Sequence, residues 1–262
     1  MLLIDLDYQG SLSTLIMRAA AVDAVGSAVD ALFDENADLE TLLRRRIHLA
    51  RHGTDTVLGH GHGLSRAWLV PADYTLAEVE SQLLIDRVIN DKEVLDERYR
   101  LAHLLLQPSV RRDYGMIIID TPPRMTLGTV NAFVASHAYV VPVILDRASS
   151  EAVLPFLRQV ESLKEDLDID LRLAGMVGTL TRQAALSTRE SDYKKQIEST
   201  ARQILSGDSE YFVAQNLPIK SQVQNEDDLG YFLSDDQGPL KNRFYDPIFD
   251  ELWKRITLPR IS

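Results

Sequence analysis

Two acidic stretches carry residue types able to do chemistry. Asp5 and Asp7 flank one leucine directly after Leu2-Leu3-Ile4, and Asp120 ends the run Ile117-Ile118-Ile119. Side chains alternate along a strand, so Asp-Leu-Asp at a strand end places two carboxylates on one side. Mg²⁺ takes hard oxygen donors of this kind and usually keeps several waters, so an aspartate ending a buried strand can hold it through water. Thr121-Pro122-Pro123 follows Asp120, and the prolines stiffen the turn that aims its carboxylate. Of the other pair, one carboxylate can stiffen a metal shell while the other orients an attacking water. Phosphoryl transfer suits such a set, because it asks the protein for positioning and charge neutralisation. Each stretch also has a plain structural reading. Asp120 would cap the turn after it, and Asp5 with Asp7 would form a solvated acidic loop.

Those carboxylates need strands to hold them. Leu2-Leu3-Ile4 and Met116–Asp120 are continuous rather than alternating apolar runs, which implies strands covered on both faces. Trp68-Leu69-Val70, Ala138–Leu145, Leu171–Leu180 and Tyr211–Leu217 read as further strands. Helical spacing occupies 11 to about 33, Thr75–Gln107 (capped by Asp73 or Thr75), Asn131–Ser136, a stretch from a Ser149 or Ser150 cap through Leu163, Ser187–Leu205 and Tyr245–Ile256. Strands alternating with helices predict an α/β fold, a mostly parallel sheet with helices on both faces. Ligands bind beyond the carboxyl ends of such strands, where these aspartates lie.

The 262 residues are 45% hydrophobic and suit one large α/β domain, 1–262, with 35–66 as a variable helical and loop segment within it. There is no cysteine, which excludes disulfides, thiolate metal sites and cysteine nucleophiles and fits a reducing cytoplasm. No apolar run approaches the roughly 20 residues that span a bilayer, and no signal peptide is read at Met1. With 28 basic and 39 acidic residues the formal charge is −11, so contact with nucleic acid would need a local basic patch.

Taken together, LLIDLDYQGSLS at 2–13 and YGMIIIDTPP at 114–123 resemble the ParA family of partition ATPases, within the MinD-like group. The first is similar to the family's DPQGN motif, with Tyr8 in place of proline. The second is close to its Walker B motif. AWLVPADYTLAEVE at 67–80, AYVVPVILDRASSEAV at 138–153, GMVGTLTR at 175–182 and NLPIKSQVQNEDDLG at 216–230 are weaker echoes. The resemblance implies a P-loop NTPase-like fold, ATP and Mg²⁺ as cofactors, and an ATP-dependent homodimer that binds DNA without sequence preference and meets a ParB-like partner. It implies Asp7 as the residue that positions the catalytic water, Asp5 as support for the magnesium shell and Asp120 as the Walker B metal ligand. Gln9, Gly10, Thr121 and Pro122 fall in the nucleotide motifs. Thr179 is matched to a polar adenine contact and Pro218 to the base pocket.

One family motif has no counterpart. No G-x-x-x-x-G-K-[ST] pattern occurs in the sequence. That loop cradles phosphates with backbone N–H groups and neutralises them with its lysine. It follows a strand expected beside the Walker B strand, and a sheet without that strand exposes unpaired edges that invite pairing. The reading adopted is a chain N-terminally incomplete, with its first strand and P-loop encoded upstream. The alternatives are an inactive ParA-like remnant acting as a protein interaction module, and a MinD-like ATPase that cycles on membranes.

Smaller signals fit this frame. Arg182, Arg189, Lys194, Lys195 and Arg202 form the candidate DNA-contacting cluster, interleaved with Glu190, Asp192 and Glu198. Gly59-His60-Gly61-His62-Gly63 reads as a solvated loop rather than a metal site. Arg44-Arg45-Arg46 reads as a solvated helix face. The tail ELWKRITLPRIS is short and broken by Pro259, which argues against a membrane-binding helix.

Overall fold

The computed structural model describes residues 1–19, 47–48, 67–72, 74–89, 97–181, 185–205, 210–217 and 245–257. They fall into two compact units, the described residues of Met1–Ser136 and those from His137 onward. Arg44–Arg46, Gly59–Gly63 and the proposed cap Asp73 lie outside the described residues, as does most of 35–66.

In the first unit, strands β1 (Leu2–Asp5), β2 (Ile47–His48), β3 (Trp68–Val70) and β4 (Ile117–Asp120) make a sheet ordered β2-β3-β1-β4. β1 is parallel to both neighbours, and β2 runs antiparallel on β3. The register sets Leu2 opposite Trp68 and Ile117, and Asp5 opposite Asp120. Helices α1 (Ser11–Ala19), α2 (Thr75–Ile89), α3 (Arg100–Leu105), α4 (Pro108–Asp113) and α5 (Leu127–Ala135) accompany it, with a 3₁₀ turn at Glu97–Tyr99.

The continuous apolar run of β1 has the consequence expected of it. Leu2 and Ile4 join Leu6, Val70, Leu76, Leu101, Leu105, Val110 and Tyr114 in one core cluster. Leu3 joins Ile16, Ala67 and Leu69 in another. β1 is thus packed on both faces, which only a continuous apolar run allows.

The α5 helix begins at Leu127, earlier than the expected Asn131, because the Thr126 side chain accepts the Thr129 N–H and caps it. Buried Asn131 then serves as a bracket rather than a helix start. Its Oδ1 accepts the Leu101 N–H, and its Nδ2 donates to the Glu97 and Leu127 carbonyls.

In the second unit, β5 (Ala138–Ile144) pairs in parallel with β6 (Arg172–Thr179). They are joined by α6 (Arg147–Leu167), and α7 (Thr188–Leu205) and α8 (Asp246–Thr257) follow. The α6 cap is Asp146, not Ser149 or Ser150: Asp146 Oδ1 accepts the Ser149 N–H, while Ser150 Oγ turns back to the Arg147 carbonyl. Ser187 and Glu190 form a reciprocal capping box at the start of α7. Tyr211–Leu217, expected as a strand, makes one isolated bridge, Phe212 to Met176. Side chains take the neighbouring amides instead. Glu198 accepts from the Tyr211 and Phe212 N–H groups, and Glu251 from that of Ala214.

Candidate functional site

The acidic residues meet at the carboxyl edge of β1 and β4. Asp5 closes β1, and the chain then turns at once: the Gly10 N–H bonds the Asp7 carbonyl at 2.8 Å, and Gly10 adopts φ 60°. The turn starts α1, whose Thr14 N–H returns to the Gly10 carbonyl. A residue with a Cβ is strained in that left-handed conformation, so glycine lets the turn and helix follow one another so closely. Gln9 is exposed and donates its backbone N–H to Asp7 Oδ1 at 3.0 Å.

Asp5 and Asp7 differ in kind. Asp5 is 0% exposed. Its Oδ1 accepts the Asp7 N–H at 3.0 Å, and its Oδ2 accepts the Ser13 N–H and hydroxyl at 2.9 and 2.7 Å. Burial pushes its carboxyl above the usual range, and the hydrogen bonds from Ser13 and Asp7 pull the other way. Asp5 thus reaches the site through its charge and through Asp7. Asp7 lies beyond the strand and is half-buried, its side chain set by the turn rather than by strand alternation.

Asp120 sits at the solvent edge. Burial of its carboxyl, then the charges of Asp5 and Asp7, push its pKa to about 6, against a backbone hydrogen bond from Thr121. The pleat continues past it, since the Leu6 N–H bonds the Asp120 carbonyl at 2.8 Å. Pro122 is buried and Thr121 half-buried, so the turn that aims Asp120 is packed. Among the described residues no group of three or more ligating side chains closes into a metal cage. The chemistry of the donor set, one exposed strand-end carboxylate with two more beside it, fits Mg²⁺ held by one carboxylate and mostly by water.

Two neighbours had only a faint signal in the sequence. Tyr8, the departure from DPQGN, takes the Arg124 guanidinium over its ring at 4.7 Å and meets the Tyr74 ring edge-on at 6.0 Å. The substituted proline was the only cue to the first contact.

In the second unit, Thr179 ends β6 half-buried, opposite Ile144. Leu180 follows at φ 53°, and this unusual backbone turns the chain so that the Thr181 N–H reaches the Leu217 carbonyl. Pro218 lies outside the described residues. Of the basic cluster, Arg189, Lys195 and Arg202 are exposed on α7, while Arg182 lies outside the described residues. Lys194 turns inward. Its amine lies 5.1 Å over the Phe212 ring and 3.3 Å from the Val213 carbonyl. Burial lowers its pKa, against Glu198, Glu251 and Glu210.

A mostly parallel sheet whose β1 is covered on both faces, with carboxylates gathered at its carboxyl edge, gives an α/β fold of the P-loop NTPase-like class. The AAA-domain family AAA_31 matches residues 1–173, and the chain belongs to that family, with ParA-like relatives. It is 31% identical over 114 residues to the sporulation initiation inhibitor protein Soj of Bacillus subtilis, a stretch covering 43% of this chain and 40% of Soj. It is 29% identical over 112 residues to the chromosome partitioning protein ParA of Caulobacter vibrioides, covering 43% and 39%. The chain therefore spans about two fifths of the length of these relatives. In structure it is similar to apo McdA of Cyanothece, with TM-score 0.69, 15% identity, and 97% and 86% of the two chains covered. It is also similar to cobyrinic acid a,c-diamide synthase of Mycobacterium smegmatis with bound ATP analog and magnesium, with TM-score 0.60, 22% identity, and 88% and 78% covered. Among the described residues no helix is long and apolar enough to cross a membrane.

Proposed function

We propose that this chain forms the metal-and-water side of a ParA-like ATPase that serves plasmid or chromosome partition in the cytoplasm. The observation that carries the reading is the carboxylate set at one strand edge, where Asp5 lies opposite Asp120 in the register and accepts the Asp7 N–H. There burial first, and then the charges of Asp5 and Asp7, push the Asp120 carboxyl up to about 6. Asp120 would hold Mg²⁺ largely through water, and Asp7 would orient the attacking water. Asp5 would hold the turn that carries Asp7. Gln9, Gly10, Thr121 and Pro122 would line the phosphate side, and in the second unit the family resemblance matches Thr179 and Pro218 to base contacts. When bound, the magnesium ion neutralises charge on phosphate oxygens. Support comes from the Soj and ParA relatives and from the ATP analog and magnesium in the synthase.

A phosphate-cradling loop is proposed to reach this edge on a further strand that pairs with β4. The outer edge of β4 carries no strand among the described residues. The protein would form an ATP-dependent homodimer, meet a ParB-like partner, and contact DNA through Arg189, Lys195 and Arg202, with Arg182 beside them in sequence.

The test is magnesium-dependent ATP binding by the protein as its organism makes it. Asp120→Asn is expected to weaken the magnesium-dependent part of the affinity about tenfold, as the loss of a metal-shell group does. Equal affinity of wild type and variant would remove Asp120 from the metal site. No nucleotide binding by either would favour the interaction-module reading.

A further inference from the structure

Helix α1 has no acidic residue in its first turn. Its free N–H groups and the positive end of its dipole need an acceptor from elsewhere. Asp5 supplies one from eight residues upstream, taking the Ser13 N–H on Oδ2. The Ser13 hydroxyl gives its one proton to the same oxygen and accepts the Ala72 N–H at 3.0 Å. Ser13 and Asp5 are both fully buried, so the hydroxyl has one orientation that satisfies both neighbours.

The bonds continue in a line. Ala72, just past β3, holds the Ser13 hydroxyl, and Ser13 holds Asp5 Oδ2. Asp5 Oδ1 holds the Asp7 N–H, and Asp7 Oδ1 holds the Gln9 N–H. We infer that Ser13 is a positioning residue for Asp7, acting through the buried carboxylate of Asp5. This rests on the proposed role of Asp7 for its catalytic consequence, but the linkage itself rests on the hydrogen bonds alone. Removing the hydroxyl leaves the Ala72 N–H without its acceptor and takes a charge-assisted bond from Asp5. The Asp5 carboxylate can then turn, and the Asp7 backbone loses its fixed anchor.

The test has two arms. In the first, amide hydrogen exchange is measured by NMR on the nucleotide-free protein. Ser13→Ala is expected to speed exchange at the Asp7 amide about tenfold, the size of one lost net hydrogen bond, and to leave the Leu3 and Ile4 amides unchanged. No change at Asp7, or an equal rise along β1, overturns the inference. Ser13→Cys keeps the volume with a weaker donor and is read the same way if the alanine variant lacks a cooperative melt.

The second arm is ATP hydrolysis by the protein as its organism makes it. Ser13→Ala is expected to lower kcat about tenfold with KM unchanged, Ser13→Thr to recover it, and Ser13→Ala to add nothing in an Asp7→Asn background. A full additional loss in that background overturns the inference. Absence of hydrolysis in the wild type would sink the proposed function instead, and the exchange arm would still decide the role of Ser13.

Discussion

The Arg124 guanidinium lies 4.7 Å from the centroid of the Tyr8 ring, and so links the turn after β4 to the turn after β1. The first of these turns follows Asp120, and the second carries Asp7. Tyr8 also meets Tyr74, just beyond β3, edge to face. The loops at the carboxyl ends of three adjacent strands are thereby tied through one ring, in the place where the resembled motif has proline.

This tie is measurable. A double-mutant cycle on Tyr8→Ala and Arg124→Ala is expected to give a coupling energy of about 0.5–1 kcal/mol by chemical denaturation, the range of an exposed cation–π pair. Additive losses would mean that the stack contributes nothing.

The pH dependence follows from Asp120. Burial and the neighbouring charges push its folded carboxyl up to about 6, above the usual carboxylate range, so the folded state binds this proton more tightly than the unfolded state. Ionisation therefore opposes folding, and this destabilisation grows as pH rises from about 4 to 6 and is complete above that. Asp120→Asn should raise the melting temperature of the metal-free protein at pH 8, and the gain should vanish toward pH 4. A gain independent of pH would contradict the assigned cause. Mg²⁺ should stabilise the wild type at pH 8 and have little effect on the variant.

Backbone demands set two glycine predictions. Gly10→Ala should cost about 1–2 kcal/mol in denaturant titration, because φ 60° suits residues with a Cβ poorly. At Gly178 an added Cβ would lie 2.4 Å from Asn216 Oδ1, so Gly178→Ala should cost about 1–3 kcal/mol through forced displacement.

Asn131→Ala should destabilise the first unit by about 2–3 kcal/mol. It orphans the buried Leu101 N–H and removes donors from the Glu97 and Leu127 carbonyls. A near-neutral variant in calorimetry would show that the bracket is not needed.

For the α7 surface, Arg189→Ala and Lys195→Ala should each weaken DNA binding across sequences and reduce the salt slope by about one. Lys194→Ala should leave that slope unchanged and lower stability, because its amine is engaged with Phe212 and Val213. Salt-dependent anisotropy on random duplexes separates the two kinds of residue.

Much of this was legible in the sequence where a local pattern decides the outcome. The unbroken apolar run Leu2-Leu3-Ile4 specified a doubly covered strand, and Ile117–Asp120 with its following prolines specified the strand and turn that present Asp120. Where several residues compete for one role, the pattern underdetermines the result. Asp146, Ser149 and Ser150 can all cap, and the structure uses the aspartate. Long-range partners were less legible still. The alternation rule paired Asp5 with Asp7, but β1 stops at Asp5 and the chain turns, so one carboxylate is buried and the other half-exposed. Charge counting grouped Lys194 with Lys195, although Phe212, distant in sequence, draws only the first inward.

The most direct test of the account is single-turnover ATP hydrolysis by the protein as its organism makes it, comparing wild type with Asp7→Ala at saturating ATP and Mg²⁺. The account predicts at least a hundredfold slower hydrolysis with nucleotide affinity retained, the scale of a lost water-orienting group. Undiminished hydrolysis by Asp7→Ala would contradict it.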